Sequence, residues 1–243
     1  MIHGDIPIGI GNLVNLEKLE LGSNYLGGTI PDVLGKLQKL KALYLNDNKF
    51  SGLIPFSLGN LTTLLKLSLN GNKFKGNIPP SLGNCQKLLI LDISSNNLTG
   101  TIPKQVIGLS SLSIYLAMSH NFLIGALPFE VGKLTHLSAL DLSNNRLSGE
   151  IPTAIESCLS LENLYLEANP FQGAIPQSLK TLRGLEQIEL SRNNFSRNVH
   201  KFLDKLVSLK HLNISYNDLE GEVQVKGFLQ IQARFQSLEI ISY

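Results

Sequence analysis

The hydrophobic positions of this chain fall on a fixed grid. Leu16, Leu19, Leu21, Leu26, Ile30, Leu34 and Leu37 are answered one period later by Leu40, Leu43, Leu45, Phe50, Ile54, Leu58 and Leu61. Asparagines keep the same beat at Asn24, Asn48, Asn72, Asn96, Asn121, Asn145, Asn169, Asn193 and Asn217, a step of 24 residues with a single step of 25. One structural unit is therefore copied along the chain. Leu19-Glu20-Leu21 and its copies alternate apolar and polar, as a short half-buried strand must. Each asparagine stands three residues after the second strand leucine, where the chain turns. Its amide can donate to and accept from backbone groups of neighbouring turns that would otherwise be buried without partners. A glycine (Gly28, Gly52, Gly76, Gly100, Gly125, Gly149, Gly173) and an Ile-Pro or Leu-Pro pair then bend the coil back, and eight of the ten prolines occupy that slot. A unit this small cannot bury its own apolar face, so the copies stack into a solenoid with a parallel sheet along one side.

Composition agrees with a well-cored chain: 243 residues, 43% hydrophobic and 16% charged. With 21 basic and 19 acidic residues scattered along it, the net charge of +2 creates no field for a nucleic-acid backbone or an anionic membrane. No apolar run reaches the roughly 18 residues of a membrane span, and the start "MIHGDIP" has neither the charge nor the apolar run of a signal peptide. The chain as given is thus expected to make no membrane contact of its own.

The repeat Leu-x-x-Leu-x-Leu-x-x-Asn-x-Leu-x-Gly-x-Ile-Pro, followed by Leu-Gly-x-Leu, resembles the plant-specific class of leucine-rich repeats found in receptor-like kinase ectodomains. The resemblance runs from Gly4 to about Gly227. It implies an α/β repeat solenoid, a right-handed superhelix with its parallel sheet on the concave face and a second short strand ahead of each Gly-x-Ile-Pro. The segment "NDLEGEVQVKG" resembles the last repeat of the receptor-kinase group that contains the bacterial flagellin and elongation-factor receptors, with Gln224 where proline is usual. The expected organisation is a solenoid over residues 1–229, with a partial first repeat at 1–15 and nine repeats from residue 16, then a non-repeat tail at 230–243.

Local look-alikes of chemical motifs dissolve in this frame. Asn46-Asp47-Asn48 with Gly52 imitates a calcium loop, but Asn48 belongs to the asparagine row and no acid follows at the chelating distance. "GALPFEVGK" from Gly125 to Lys133 imitates a phosphate loop, yet Leu134 stands where Ser or Thr is needed. The histidines His3, His120, His136, His200 and His211 occupy unrelated repeat positions without metal-ligand spacing, and polar residues come in rows rather than catalytic clusters. No enzymatic activity, metal or cofactor is expected. Cys85 and Cys158 both replace a core leucine, three repeats or roughly 14 Å apart at a strand spacing of about 4.8 Å, and read as buried free thiols.

Function is then expected on the outward strand positions. The candidate partner-binding residues are Lys18, Glu20, Tyr44, Lys66, Asp92, Tyr115, Asp141, Tyr165, Glu189 and His211, with Tyr44, Tyr115 and Tyr165 read as one row of anchors. Asp92 and Asp141 also lie in a Leu-Asp-(Leu/Ile)-Ser context common to the class, and His211 reads as an exposed imidazole. Sequons at Asn60, Asn97, Asn194 and Asn213 are glycosylation candidates in an exported chain. The resemblance implies recognition of a peptide or protein ligand, with a co-receptor ectodomain as second partner, on the extracellular face of the plasma membrane. The alternative is a secreted inhibitor of cell-wall-degrading enzymes of the polygalacturonase-inhibitor kind. At the ends, the first partial unit is expected to supply no strand and no paired-cysteine cap is visible. Arg197-Asn198-Val199-His200 replaces Gly-x-Ile-Pro, so self-association and fraying from Asn193 onward are expected.

Overall fold

The computed structural model describes residues 1–198 and 205–220, and the backbone alone of Val223–Gln224, Gln230–Ile231 and Ile240–Ile241. A ten-stranded parallel sheet runs along one side, its strands adjacent in sequence order from Lys18–Glu20 through Ala42–Tyr44, Lys66–Ser68, Ile90–Asp92, Tyr115–Ala117, Ala139–Asp141, Asn163–Tyr165, Gln187–Glu189 and His211–Asn213 to Gln230–Ile231. The register follows the repeat: Lys18 pairs with Ala42, Ala42 with Lys66, and Ile90 with Tyr115 across the one longer step. The central residue of each strand from Leu19 to Leu212 points into the core, where Leu43, Leu67, Leu91, Leu116, Leu140 and Leu164 are wholly buried. Gln230–Ile231, expected to lie in a non-repeat tail, pairs with His211–Asn213 and continues this sheet. Val199 and His200 lie outside the described residues.

The second strand of each coil is present as well. Ser51–Gly52, Lys73–Asn77, Asn97–Gly100, Phe122–Gly125 and Arg146–Leu147 form a five-stranded sheet, and Gln172–Gly173, Asn194–Asn198 and Asp218–Glu220 form a three-stranded one. The partial first unit does supply a strand, contrary to expectation: His3–Asp5 pairs in parallel with Tyr25–Gly27. The helical part of each coil is a short turn. Among the described residues, seven 3₁₀ segments of five residues, such as Asp32–Lys36 and Phe56–Asn60, close the coils, and the α-helix is the four-residue Lys104–Ile107. Proline precedes each turn with φ near that of the following helix, and the i to i+3 bonds, Leu34 N–H to the Pro31 carbonyl at 3.0 Å for example, bring leucines three apart onto the core side. At Gly59 glycine is needed because adjacent coils touch, a Cβ there standing 2.3 Å from the Ser81 carbonyl oxygen, whereas the turns Thr153–Ser157 and Gln177–Thr181 hold Glu156 and Lys180 at the same position.

The asparagine row is a hydrogen-bond ladder. Asn145 accepts from the Leu123 N–H at 3.0 Å and donates to the carbonyls of Met118 at 3.0 Å, Leu142 at 3.1 Å and Ser143 at 3.1 Å, so it ties its own turn to the preceding coil. Every ladder asparagine from Asn48 to Asn217 makes the same kind of contacts, and Asn24 accepts from the Ile2 N–H at 2.7 Å. Cys85 and Cys158 are buried and unbridged, their thiols facing the carbonyls of Leu58 at 3.5 Å and Val131 at 3.3 Å. Burial pushes both thiols up to about 11, which keeps them protonated and unreactive.

Two substitutions test this frame in opposite directions. Asn145→Ala orphans backbone groups in two coils and is expected to cost about 3 kcal/mol or more in urea unfolding. Arg197 occupies the slot held by glycine in the earlier coils, with φ of 72° against 76° at Gly173. Arg197→Gly is therefore expected to raise stability by about 1 kcal/mol, since a Cβ in the left-handed region is strained; an unchanged or lowered unfolding midpoint would show the slot carries no strain.

Candidate functional site: the open face of the main sheet

Strand parity sends the flanking residues of each main strand away from the core, onto an uncovered face. The sheet pairing sorts them into two rows. Lys18, Ala42, Lys66, Ile90, Tyr115, Ala139, Asn163, Gln187 and His211 form the first, and Glu20, Tyr44, Ser68, Asp92, Ala117, Asp141, Tyr165, Glu189 and Asn213 the second. The three tyrosines are thus split: Tyr44 and Tyr165 share the second row, and Tyr115 stands in the first. Tyr115 donates its hydroxyl to Asp141 Oδ2 at 3.4 Å, and Tyr165 donates to Gln187 Oε1. His211 is not a free surface imidazole, because it is half-buried and pairs with Glu189.

The amino-terminal end of the face is compensated and wet. Lys18 Nζ lies 2.8 Å from Glu20 Oε1 and 6.0 Å from the Tyr44 ring centroid. Toward the centre the balance turns acidic. Asp92 and Asp141 each use Oδ1 to accept from the backbone and hydroxyl of a serine two residues on, Ser94 and Ser143, which gives the Leu-Asp-x-Ser context a structural reason. Asn213 does the same toward Ser215. Burial, with the charges of Asp141 and Asp47 added, holds the Asp92 carboxyl above the usual range against the opposing Ser94 bonds. Glu167, one turn beyond the strands, is raised likewise by burial and then by Asp141 and Glu189, and its Oε2 is buried without a hydrogen-bond partner. The Tyr115 and Tyr165 hydroxyls are also pushed up, first by burial and then by Asp141.

Sequence reasoning counted two outward positions per strand and missed a third line. The residues immediately ahead of the strands, Leu65, Leu89 and Ile114, are part-exposed or exposed and lie beside Ile90 and Tyr115. Ile114, 47% exposed, is the extra residue of the 25-residue step. Leu88 and Leu112 are 24 apart, whereas Ile90 pairs with Tyr115, so the insertion falls between Leu112 and Tyr115. In the regular coils the two N–H groups at the strand entry share one carbonyl, as Leu89 and Ile90 share that of Leu65, whereas Ser138 and Ala139 donate separately to the Ser113 and Ile114 carbonyls, at 3.0 and 3.2 Å, so two residues stand opposite one as at a bulge. Leucine is too common in the buried slots of this chain for these three to stand out by type.

The candidate glycosylation sites divide by face. Asn60, Asn97 and Asn194 are exposed away from the main sheet, and Asn213 is half-buried on it. Among the described residues no group of three or more His, Cys, Asp and Glu could hold a metal ion, and no helix is long and apolar enough to cross a membrane.

Comparison with known proteins follows this geometry. A family model for a leucine-rich repeat region matches residues 68–243, and one for the leucine rich repeat matches residues 14–74. The chain belongs to the leucine-rich-repeat family. This leucine-rich-repeat chain is similar to the plant peptide hormone receptor RGFR1, solved in complex with RGF2, with a TM-score of 0.90 and 32% identity over 99% of this chain and 43% of that one. It is similar to the Arabidopsis receptor kinase HAESA, solved with the peptide hormone IDA and the co-receptor SERK1, with a TM-score of 0.87 and 37% identity over 91% of this chain and 37% of that one. A plant ice-binding protein matches with a TM-score of 0.81 and 30% identity over 97% of this chain and 78% of that one. No curated protein sequence matches significantly. The leucine-rich-repeat chain thus spans less than half of either receptor chain.

The crowded carboxylates set a pH response. A carboxyl raised in the folded state binds its proton more tightly there than in the unfolded chain. Its contribution therefore favours the fold below the ordinary carboxylate value of about 4 and declines as pH rises through the raised value. Asp92 and Glu167 both act in this sense, and Asp141 is the neighbouring charge common to them. Asp141→Asn is expected to lower both titration midpoints in carboxyl-carbon NMR; unmoved midpoints would mean that the two sites do not sense Asp141.

Proposed function

We propose that this leucine-rich-repeat chain is the ligand-recognition part of a plant receptor-kinase ectodomain, working at the extracellular face of the plasma membrane and without catalysis of its own. One observation carries the reading: the open sheet offers nine successive strands whose outward side chains, apart from the buried Ala42, Ser68 and Ala117, reach solvent, with tyrosines and carboxylates among them. At about 4.8 Å per strand this face is roughly 38 Å long, and an extended peptide at about 3.3 Å per residue needs about 11 residues to follow it. Likeness to RGFR1 and HAESA, both solved with peptide hormones, supports the same assignment, and SERK1 in the HAESA complex supports a co-receptor as second partner. The narrower likeness to the flagellin and elongation-factor receptors rests on the segment from Asn217 to Gly227 alone. The candidate contacts are Lys18, Glu20, Tyr44, Lys66, Asp92, Tyr115, Asp141, Tyr165, Glu189 and His211. Glycans at Asn60, Asn97 and Asn194 would leave the sheet clear, whereas one at Asn213 would obstruct it. Registry with an ice lattice needs one side chain repeated from coil to coil, and the two outward rows instead mix basic, acidic, aromatic and small residues.

The test is calorimetric titration of the chain with a panel of secreted plant peptide hormones, alongside a polygalacturonase inhibition assay. Peptide binding without inhibition is expected, and Tyr165→Ala is expected to weaken the bound peptide by about 1–2 kcal/mol as a buried aromatic anchor would. Unchanged affinity in Tyr44→Ala, Tyr115→Ala and Tyr165→Ala alike would move the site off this face, and inhibition without peptide binding would favour the inhibitor reading.

A further inference from the structure

The open face is two-sided in its chemistry. Along its leading edge, the inserted Ile114 is exposed beside half-buried Leu89, Leu65 and Ile90, so three successive coils present apolar surface to solvent. Across the strands lies the acidic line of Asp92, Asp141 and Glu167. Asp92 and Asp141 are two strands apart, about 10 Å, with buried Ala117 between them. The paired acids of the face lie elsewhere: Glu20 with Lys18 in an ion pair at one end and Glu189 in contact with His211 at the other. An apolar ridge beside a line of half-buried carboxylates that lack an ion-pair partner among the described residues is complementary to a partner carrying both an apolar and a positive group. Ala117 between the two aspartates is wholly covered, so a basic group would meet the outer surface of the carboxylates; a planar guanidinium has forked donors that suit two carboxylates and a face that suits the Tyr115 ring.

We infer that this face takes an extended peptide in which an aliphatic or aromatic residue adjoins a basic one, the apolar side chain lying on the Leu89–Ile114 ridge and the basic one against the Asp92 and Asp141 carboxylates. Successive side chains of an extended peptide point to opposite sides, so a peptide running along the solenoid between the two lines sends one neighbour to the ridge and the next to the acids. The inference rests on the reading that the sheet binds a peptide, and it names the class of sequence that would be bound.

Random 12-residue peptides displayed on phage are selected on the immobilised full chain, and the recovered peptides and their Arg/Lys→Gln counterparts are measured by fluorescence anisotropy. Recovered sequences are expected to place Arg or Lys next to Leu, Ile, Val, Phe or Tyr. Against the Asp92→Asn/Asp141→Asn double variant these peptides should bind on the order of tenfold more weakly, while the Gln counterparts are unaffected. Asparagine preserves the serine turn at these positions, as Asn213 and Ser215 do in the native chain, and circular dichroism confirms folding of the variant. Ile114→Ser is expected to remove selection for the apolar neighbour alone. Selected peptides without basic preference, or equal affinity for the double variant, would overturn the inference and leave peptide recognition standing; failure to select any peptide would overturn both.

Discussion

The asparagine ladder is the constraint on which the rest of the solenoid depends. A sheet built from one short strand per coil leaves the backbone of each following turn buried, out of reach of water, and without strand partners. A side-chain amide supplies the missing contacts because it both donates and accepts. Its reach fixes the repeat: Asn145 and Asn169 each bind a carbonyl 27 residues back and an N–H 22 residues back. At the longer step, Asn121 keeps the same geometry with offsets of 28 and 23. The extra residue has therefore been excluded from the ladder and from the turn, and it is expelled ahead of the strand at Ile114, the part of the coil where a bulge costs no core contact.

That distinction explains how much could be read from the sequence. A buried position must fit the copy of itself in the next coil, so the same side chain returns with the period. Leu37, Leu61 and Leu134, and the two cysteines that take their place at Cys85 and Cys158, are all buried and could be placed by counting. The second strand and the glycine slot were legible for the same reason. Where the chain departs from the consensus, counting still located the departure: Arg197 falls in the glycine slot, and the backbone keeps the left-handed conformation that the slot imposes on its neighbours.

The open face was legible only in outline, because nothing forces a solvent-facing side chain to match its copy. The rows of Tyr44 and Tyr165 on one side and Tyr115 on the other follow from strand parity, yet grouping the tyrosines by type concealed it. The Leu65–Ile114 ridge was hidden by composition, since leucines on an exposed line look like the many leucines of the core. The pairing of His211 with Glu189 depends on two coils being adjacent in space, and neither residue announces it. A proline, two free residues and a leucine or its aliphatic equivalent, followed in most coils by a tightly packed glycine, close the coil in a short helical turn.

The division between fixed and free positions also decides where the molecule can carry an unfavourable charge arrangement. In the core, an unpaired carboxylate would cost more than the ladder and its leucines could offset. On the open face, Asp92, Asp141 and Glu167 stay partly hydrated, and the serine bonds to Asp92 and Asp141 compensate for part of the lost water. What remains is a local electrostatic penalty, the upward shift of Asp92 and Glu167, and it is confined to side chains outside the core and the asparagine ladder. A fold whose stability resides in ladder and core can hold such a patch without loosening. The chemistry of the face is thereby free to differ from one solenoid of this family to the next, while the repeat that carries it stays the same.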